Sequence, residues 1–269
     1  MKVNMKVMKV KKTALRSSPQ SGKPKQSIVF IPGWNVRAEI FQNFAEYFAG
    51  RTLYYFTPPL VRAGDAYQQA VCALRRFLTE KNIFEPILVG WSLGGQLALL
   101  YAQHAACPQN TATAPFAKDR LGGVLLINSA AVFSRQADEQ KTFSALCAQD
   151  FPRAVKYFHK LLGSDLAAST LLQKYFINNR SSALAYLQSL YQHDLTDALR
   201  ASAYPLGIFH SRRDRIIPYR EAEYIQTLRP DAQFLKTADN LHFPFLAHCA
   251  KITGLLDEVM RGGGKAGGK

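Results

Sequence analysis

The chain has 269 residues, nearly half of them hydrophobic, which is enough apolar surface to bury a sizeable core within one α/β domain. No apolar run reaches the ~18 residues needed to cross a bilayer, and no apolar stretch follows the basic N-terminus, so a cytoplasmic protein without membrane contact is expected. The net charge is +15, but eight basic residues precede residue 27 with no acid among them and three follow residue 260, which leaves the body only mildly basic. No aromatics interleave with those tail lysines, so a nucleic-acid partner is not expected. The four cysteines, Cys72, Cys107, Cys147 and Cys249, form no C-x-x-C pair. Buried free thiols are expected, with no metal and no cofactor.

Residues 1–26 mix lysine, serine, proline and glycine, and read as a disordered tail or, around residues 3–7, a short edge strand. From there strand and helix signals alternate. Residues 27–31 form an apolar run stopped by Pro32-Gly33, and 38–48 carry Ile40, Phe41, Phe44, Tyr47 and Phe48 at helical spacing. A strand is predicted at 53–56, then a helix to about residue 81 capped by Asp65. A strand at 86–90, a helix at 93–104 and a strand at 123–128 follow. Between about 133 and 200 only short amphipathic helices appear, after which alternation resumes with strands at 205–209 and 233–236 and helices at 220–228 and 245–260. Repeated β-then-α units predict a mostly parallel sheet flanked by helices. The expected organisation is a core of 27–132 and 201–260, an inserted helical cap at 133–200, and a flexible Gly/Lys tail at 261–269.

The strongest chemical signal is Gly90-Trp91-Ser92-Leu93-Gly94-Gly95, directly after a strand and before a helix. A sharp strand-to-helix turn lifts a serine Oγ clear of the sheet, and flanking glycines let backbone pass close by. A serine hydroxyl is a weak nucleophile, so it needs a base, and the base needs an orienting acid. Asp214 follows the strand at 205–209 and His242 the strand at 233–236, both at strand C-terminal ends, where open α/β sheets keep their sites. Serine, then acid, then histidine is the order of the α/β-hydrolase fold, the expected fold class. Asp239 is the rival acid and His248 the rival base, while Asp214 has the alternative of pairing with Arg212, Arg213 or Arg215 at the surface. A carbonyl oxygen gaining charge needs fixed donors, for which the backbone N–H groups of Leu93 and Trp34 are the candidates.

These residues resemble the pimeloyl-[acyl-carrier protein] methyl ester carboxylesterases of biotin synthesis. The similarity rests on Pro32-Gly33-Trp34, the Ser92 hexapeptide, Asn128-Ser129-Ala130-Ala131-Val132-Phe133-Ser134, Asp214 with Ile217-Pro218, and Leu241-His242-Phe243-Pro244-Phe245. The resemblance implies hydrolysis of the methyl ester of a pimeloyl chain borne on acyl carrier protein. It also implies that Arg153, in Asp150-Phe151-Pro152-Arg153-Ala154-Val155, holds the carrier, and that the acyl chain passes Trp34 and a cap segment that includes Phe158. Beside that resemblance, the cap places Arg153, Lys156 and Lys160 within two turns of one predicted helix rich in apolar residues, which suits an acyl chain on an acidic carrier. A general carboxylesterase or acyl thioesterase with the same residues, and a non-catalytic binding protein of the same fold, are the alternatives. No motif specifies an oligomeric state.

Overall fold

The computed structural model describes residues 27–62, 64–106, 120–133, 137–163 and 166–262. The basic segment 1–26 and most of the closing Gly/Lys segment therefore lie outside the described residues. Six strands form one sheet: β1 (Ser27–Ile31), β2 (Thr52–Tyr55), β3 (Ile87–Trp91), β4 (Gly123–Ile127), β5 (Leu206–Ser211) and β6 (Gln233–Thr237). Their spatial order is β2-β1-β3-β4-β5-β6, and every neighbouring pair is parallel. The central strands β3, β4 and β5 are buried at every residue. Continuous rather than alternating apolar runs are what a parallel sheet covered on both faces requires.

Helices α1 (Ala66–Glu80) and α2 (Leu93–Ala106) pack on each other, and α2 lies against β1, β3 and β4. The C-terminal helix α9 (Phe245–Met260) lies against β4, β5 and β6 and touches the helical turn structure at Ala38–Phe48. That last segment is a 3-10 helix, not the α-helix its apolar spacing allows. The same residues, Ile40, Phe41, Phe44 and Phe48, are buried, because an apolar repeat of three to four suits either helix type. Asp65 caps α1 as expected, its side chain accepting from the Tyr67 and Gln68 N–H groups.

Between β4 and β5 lie α3 (Ala137–Gln149), α4 (Phe151–Leu161), α5 (Leu166–Tyr175), α6 (Arg180–Gln192) and α7 (Thr196–Ala201), with no strand among the described residues there. Helix α7 packs on α2 and on α8 (Tyr219–Leu228), so it joins the layer beside the sheet. Helix α6 is fastened to the core by polar contacts: the Ala66 N–H donates to Ser189 Oγ at 3.0 Å, Tyr186 Oη to the Pro59 carbonyl at 2.9 Å, and Trp34 Nε1 to the Ala183 carbonyl at 2.9 Å. Trp34 also stands edge-on to Phe143 and Phe158 at ring distances of 5.4 and 5.0 Å, one indole thus joining the turn after β1 to three cap helices.

The cysteines divide, against the expectation that all are buried. Cys72 is exposed on α1, Cys147 and Cys249 are buried, and Cys107 lies outside the described residues. Burial pushes the Cys147 thiol up to about 11 and the Cys249 thiol up to about 12. Alkylation of the native protein near pH 8, read by peptide mass mapping, is therefore expected to modify Cys72 and to leave Cys147 and Cys249 at least ~100-fold slower until denaturant is added. Equal labelling of all three would contradict this packing.

Candidate active site

One residue, Ser92, separates β3 from α2, and its backbone φ of 54° lies in the left-handed region. Such a conformation costs a residue with a Cβ on the order of 1–3 kcal/mol and persists only where its surroundings impose it. Here the Ser92 N–H donates to the Ile127 carbonyl at 2.9 Å, while the Ser92 carbonyl accepts from Gly95 N at 2.9 Å and Ser129 Oγ at 2.7 Å. The glycines are a matter of space. A Cβ on Gly90 would stand 2.4 Å from Gly95 Cα, and one on Gly94 would stand 2.2 Å from the Ile31 carbonyl oxygen. The turn after β1, which carries Trp34, is thereby pressed against the start of α2. Leu93 opens that helix, so its N–H has no acceptor within it.

His242 and Asp214 meet behind this elbow. His242 Nδ1 lies 2.7 Å from Asp214 Oδ2, and both side chains are fully buried. A carboxylate only accepts, so Nδ1 carries the proton and Nε2 presents its lone pair. Asp214 Oδ1 accepts from the Ile216 and Ile217 N–H groups at 2.7 and 3.0 Å. Neither oxygen goes to an arginine: Arg212 lies over the Tyr219 ring, and Arg213 Nε donates to the Ala238 carbonyl. His242 Nε2 is buried and makes no hydrogen bond, to Ser92 Oγ or to any other described group. Hydrogen bonds of this kind are often long without substrate and tighten when it binds.

The backbone of His242 is fixed from three directions. Its carbonyl accepts from Trp91 Nε1 at 2.7 Å and Asn128 Nδ2 at 3.0 Å, and its N–H donates to the Leu162 carbonyl at 3.0 Å. Asn128 also donates to the Leu241 carbonyl and accepts from Ser211 N, so one amide joins the ends of β4 and β5 to the histidine loop. Sequence reasoning missed this role, which rests on contacts with residues far along the chain; the structure holds Asn128 at a φ of 45° at the end of β4. The rival residues pair with each other instead: His248 Nε2 lies 2.6 Å from Asp239 Oδ2, at a non-helical residue inside α9. Burial alone would raise the Asp239 carboxyl, but the hydrogen bonds from His248 and the Leu241 N–H outweigh it and hold it below its ordinary value. His210 is buried beside the pair, its Nε2 bonded to the Ile217 carbonyl, and burial lowers its affinity for a proton.

A cavity of about 250 Å³ opens over the elbow. Ser92, Leu93, Trp34 and Phe158 line it together, as do Tyr157, Leu187, Leu190, Tyr191 and Arg215, which sequence reasoning did not assign to the site. Arg153, Lys156 and Lys160 do not line it; they stand exposed along α4, three and four residues apart on one face. Among the described residues no cluster of histidine, cysteine and acidic side chains is arranged to hold a metal ion, and no helix is long and apolar enough to cross a membrane.

Residues 28–252 match the alpha/beta hydrolase family. The chain belongs to that family. It is similar to the pimeloyl-[acyl-carrier protein] methyl ester esterase of Edwardsiella ictaluri, 23% identical over 257 residues that cover 88% of this chain and 95% of the relative. The enzyme of that name from Xanthomonas oryzae is 27% identical over 252 residues, covering 87% and 94%. Among solved structures, an esterase from Exiguobacterium antarcticum superposes with a TM-score of 0.70 at 18% identity over 88% of this chain and 92% of the other. A bromoperoxidase from Bacillus anthracis reaches 0.72 at 15% identity over the same shares, a likeness of fold alone. The expected fold and the expected carboxylic ester hydrolase agree with these matches.

Asn128→Ala is expected to leave the buried Ser211 N–H without its partner and the Leu241 and His242 carbonyls with one donor fewer, at ~1–3 kcal/mol of stability. Calorimetric unfolding should register that loss. Hydrolysis should fall ~10-fold or more in kcat, because the backbone that carries the His242 ring loses one of its supports. Unaltered stability and turnover would mean the amide network is incidental.

Proposed function

We propose that this alpha/beta hydrolase is a serine carboxylesterase that cleaves the methyl ester of an acyl chain, a pimeloyl chain on acyl carrier protein being its substrate. The observation that carries the reading is the buried Nδ1–Oδ2 bond of 2.7 Å, with His242 Nε2 left unpartnered behind a serine held at a strained strand-to-helix turn.

In this reading Ser92 Oγ attacks the ester carbonyl carbon as His242 Nε2 takes its proton. Asp214 keeps the ring in one tautomer and offsets the imidazolium charge. The carbonyl oxygen gains negative charge and is met by the Leu93 and Trp34 N–H groups, donors fixed before the reaction begins. Collapse of the tetrahedral intermediate breaks the bond to the alcohol oxygen, which leaves as methanol with the proton from His242. Water, deprotonated by the same nitrogen, then attacks the acyl-Ser92 ester and releases the acid.

The carrier-bound substrate is supported by the apolar cavity that includes Trp34 and Phe158, by the exposed cations of α4, and by the names of the similar enzymes. Acyl carrier proteins are acidic, and an exposed cationic face steers such a partner. One observation favours a general esterase of small esters: the three cations stand outside the cavity and do not touch the acyl chain's space.

Ser92→Ala is expected to abolish ester hydrolysis and labelling by a fluorophosphonate probe while the melting temperature changes little; undiminished labelling would assign the nucleophile elsewhere. Reversing Arg153, Lys156 and Lys160 to glutamate is expected to cut kcat/KM on a carrier-bound methyl ester by ~10-fold or more, each exposed contact being worth ~0.5–1 kcal/mol. The loss should shrink as salt is raised and should be much smaller on a nitrophenyl ester. Equal turnover of the carrier-bound ester by both proteins would favour the general esterase.

A further inference from the structure

Three arginines surround Asp214 in the chain, and the structure uses two of them. Arg212 lies 5.3 Å over the Tyr219 ring, and Arg213 Nε donates to the Ala238 carbonyl at 2.7 Å. Arg215 has no ion pair, hydrogen bond or ring contact of its side chain among the described residues. The nearest acid in sequence is already spent: both Asp214 oxygens are committed, to His242 Nδ1 and to the Ile216 and Ile217 N–H groups. Those two backbone bonds also fix the loop on the far side of Arg215, so its backbone is held while its side chain is free.

Arg215 is exposed, yet it lines the same cavity as Ser92, which places it at the rim. It is the one charged residue among the described residues lining that cavity; the others are aromatic, aliphatic or hydroxyl-bearing. A guanidinium always carries its charge and presents a planar fork that matches a carboxylate or phosphate. A cation with no protein partner beside an otherwise apolar cavity favours a ligand that brings the anion.

We infer that Arg215 recognises an oxyanion on the substrate, carried at the end of the acyl chain remote from the scissile ester. Its ligand is the phosphate of the arm when the chain is tethered to its carrier by a thioester, or the free carboxylate of a half-ester that has no carrier attached. The free half-ester of a dicarboxylic acid is then a substrate in its own right, selected over a neutral ester of equal length. This rests on the esterase reading of the site, and its test is built to fail separately from that reading.

The test measures binding apart from turnover. Monomethyl pimelate and methyl heptanoate, which differ in one carboxylate, are titrated calorimetrically into Ser92→Ala protein with and without Arg215→Gln. Arg215→Gln is expected to weaken the half-ester roughly 5- to 10-fold, more than it weakens the neutral ester, with the difference fading at high salt. Arg215→Lys should recover part of the loss, since it keeps the charge and gives up the fork. A second pair, the carrier-type thioester arm with and without its phosphate, identifies the source of the charge: discrimination in the carboxylate pair assigns the chain, and in the phosphate pair the arm. The inference is overturned if Arg215→Gln changes charged and neutral ligands equally in both pairs, or changes neither. Turnover by the protein with Ser92 intact decides the other question. No hydrolysis of either ester together with charge-selective binding defeats the esterase reading alone, whereas brisk hydrolysis without charge selectivity defeats the inference alone.

Discussion

The site depends on a packing constraint, the approach of backbone to backbone around Ser92. The end of β3, the start of α2 and the turn after β1 come so close that a methyl group on Gly90 or Gly94 would stand within 2.4 Å of main-chain atoms. Because these segments touch, the turn carrying Trp34 lies against the first N–H groups of α2, and Ser92 is forced into the left-handed region. Water would offer the same hydrogen bonds to a looser turn, but without fixed directions. Here the proposed donors, the Leu93 and Trp34 N–H groups, sit just after β3 and β1, and β3 is buried and bonded on both sides. Preorganisation of this kind supplies the greater part of many enzymatic rate enhancements.

A second constraint joins the helices between β4 and β5 to the His242 loop. The His242 loop takes hydrogen bonds from the core, through Trp91 and Asn128, and from the cap, through the carbonyl of Leu162 at the end of α4. Gly163, at a φ of 64°, lets the chain pass beside Asn240, where a Cβ would stand 2.2 Å from its carbonyl oxygen. The helix that carries Arg153, Lys156 and Lys160 is therefore the helix whose end sets the position of the histidine backbone. Trp34 adds a second tie, with its indole among Phe143 and Phe158 and its Nε1 on α6.

Much of this was legible in the sequence, and the reason is local. The elbow hexapeptide, the β-then-α order, the Asp65 cap and the placement of Asp214 and His242 at strand ends all follow from short-range patterns and the topology they imply. What was not legible depends on contacts far apart in the chain. Asp239 and His248 bond to each other and not to His242 or Asp214, and nothing in their spacing announces it. Asn128 joins two strand ends to a loop more than a hundred residues later. Leu187, Leu190 and Tyr191 line the cavity only because α6 folds back over Trp34, and Cys72 is exposed because α1 turns that face outward. Periodicity located the segment at Ala38–Phe48 but carried no information on whether its helix is α or 3-10.

The covalent state of Ser92 during turnover is the most direct test of the proposed chemistry. The protein is mixed with a slowly hydrolysed acyl ester, quenched in acid within the first turnovers, digested and mapped by mass spectrometry. The acyl mass is expected on the peptide that contains Ser92, accumulating with a burst of released alcohol and absent from Asp214→Asn protein quenched at the same time. Rapid hydrolysis with no acyl adduct on any peptide, or an adduct confined to another residue, would contradict it.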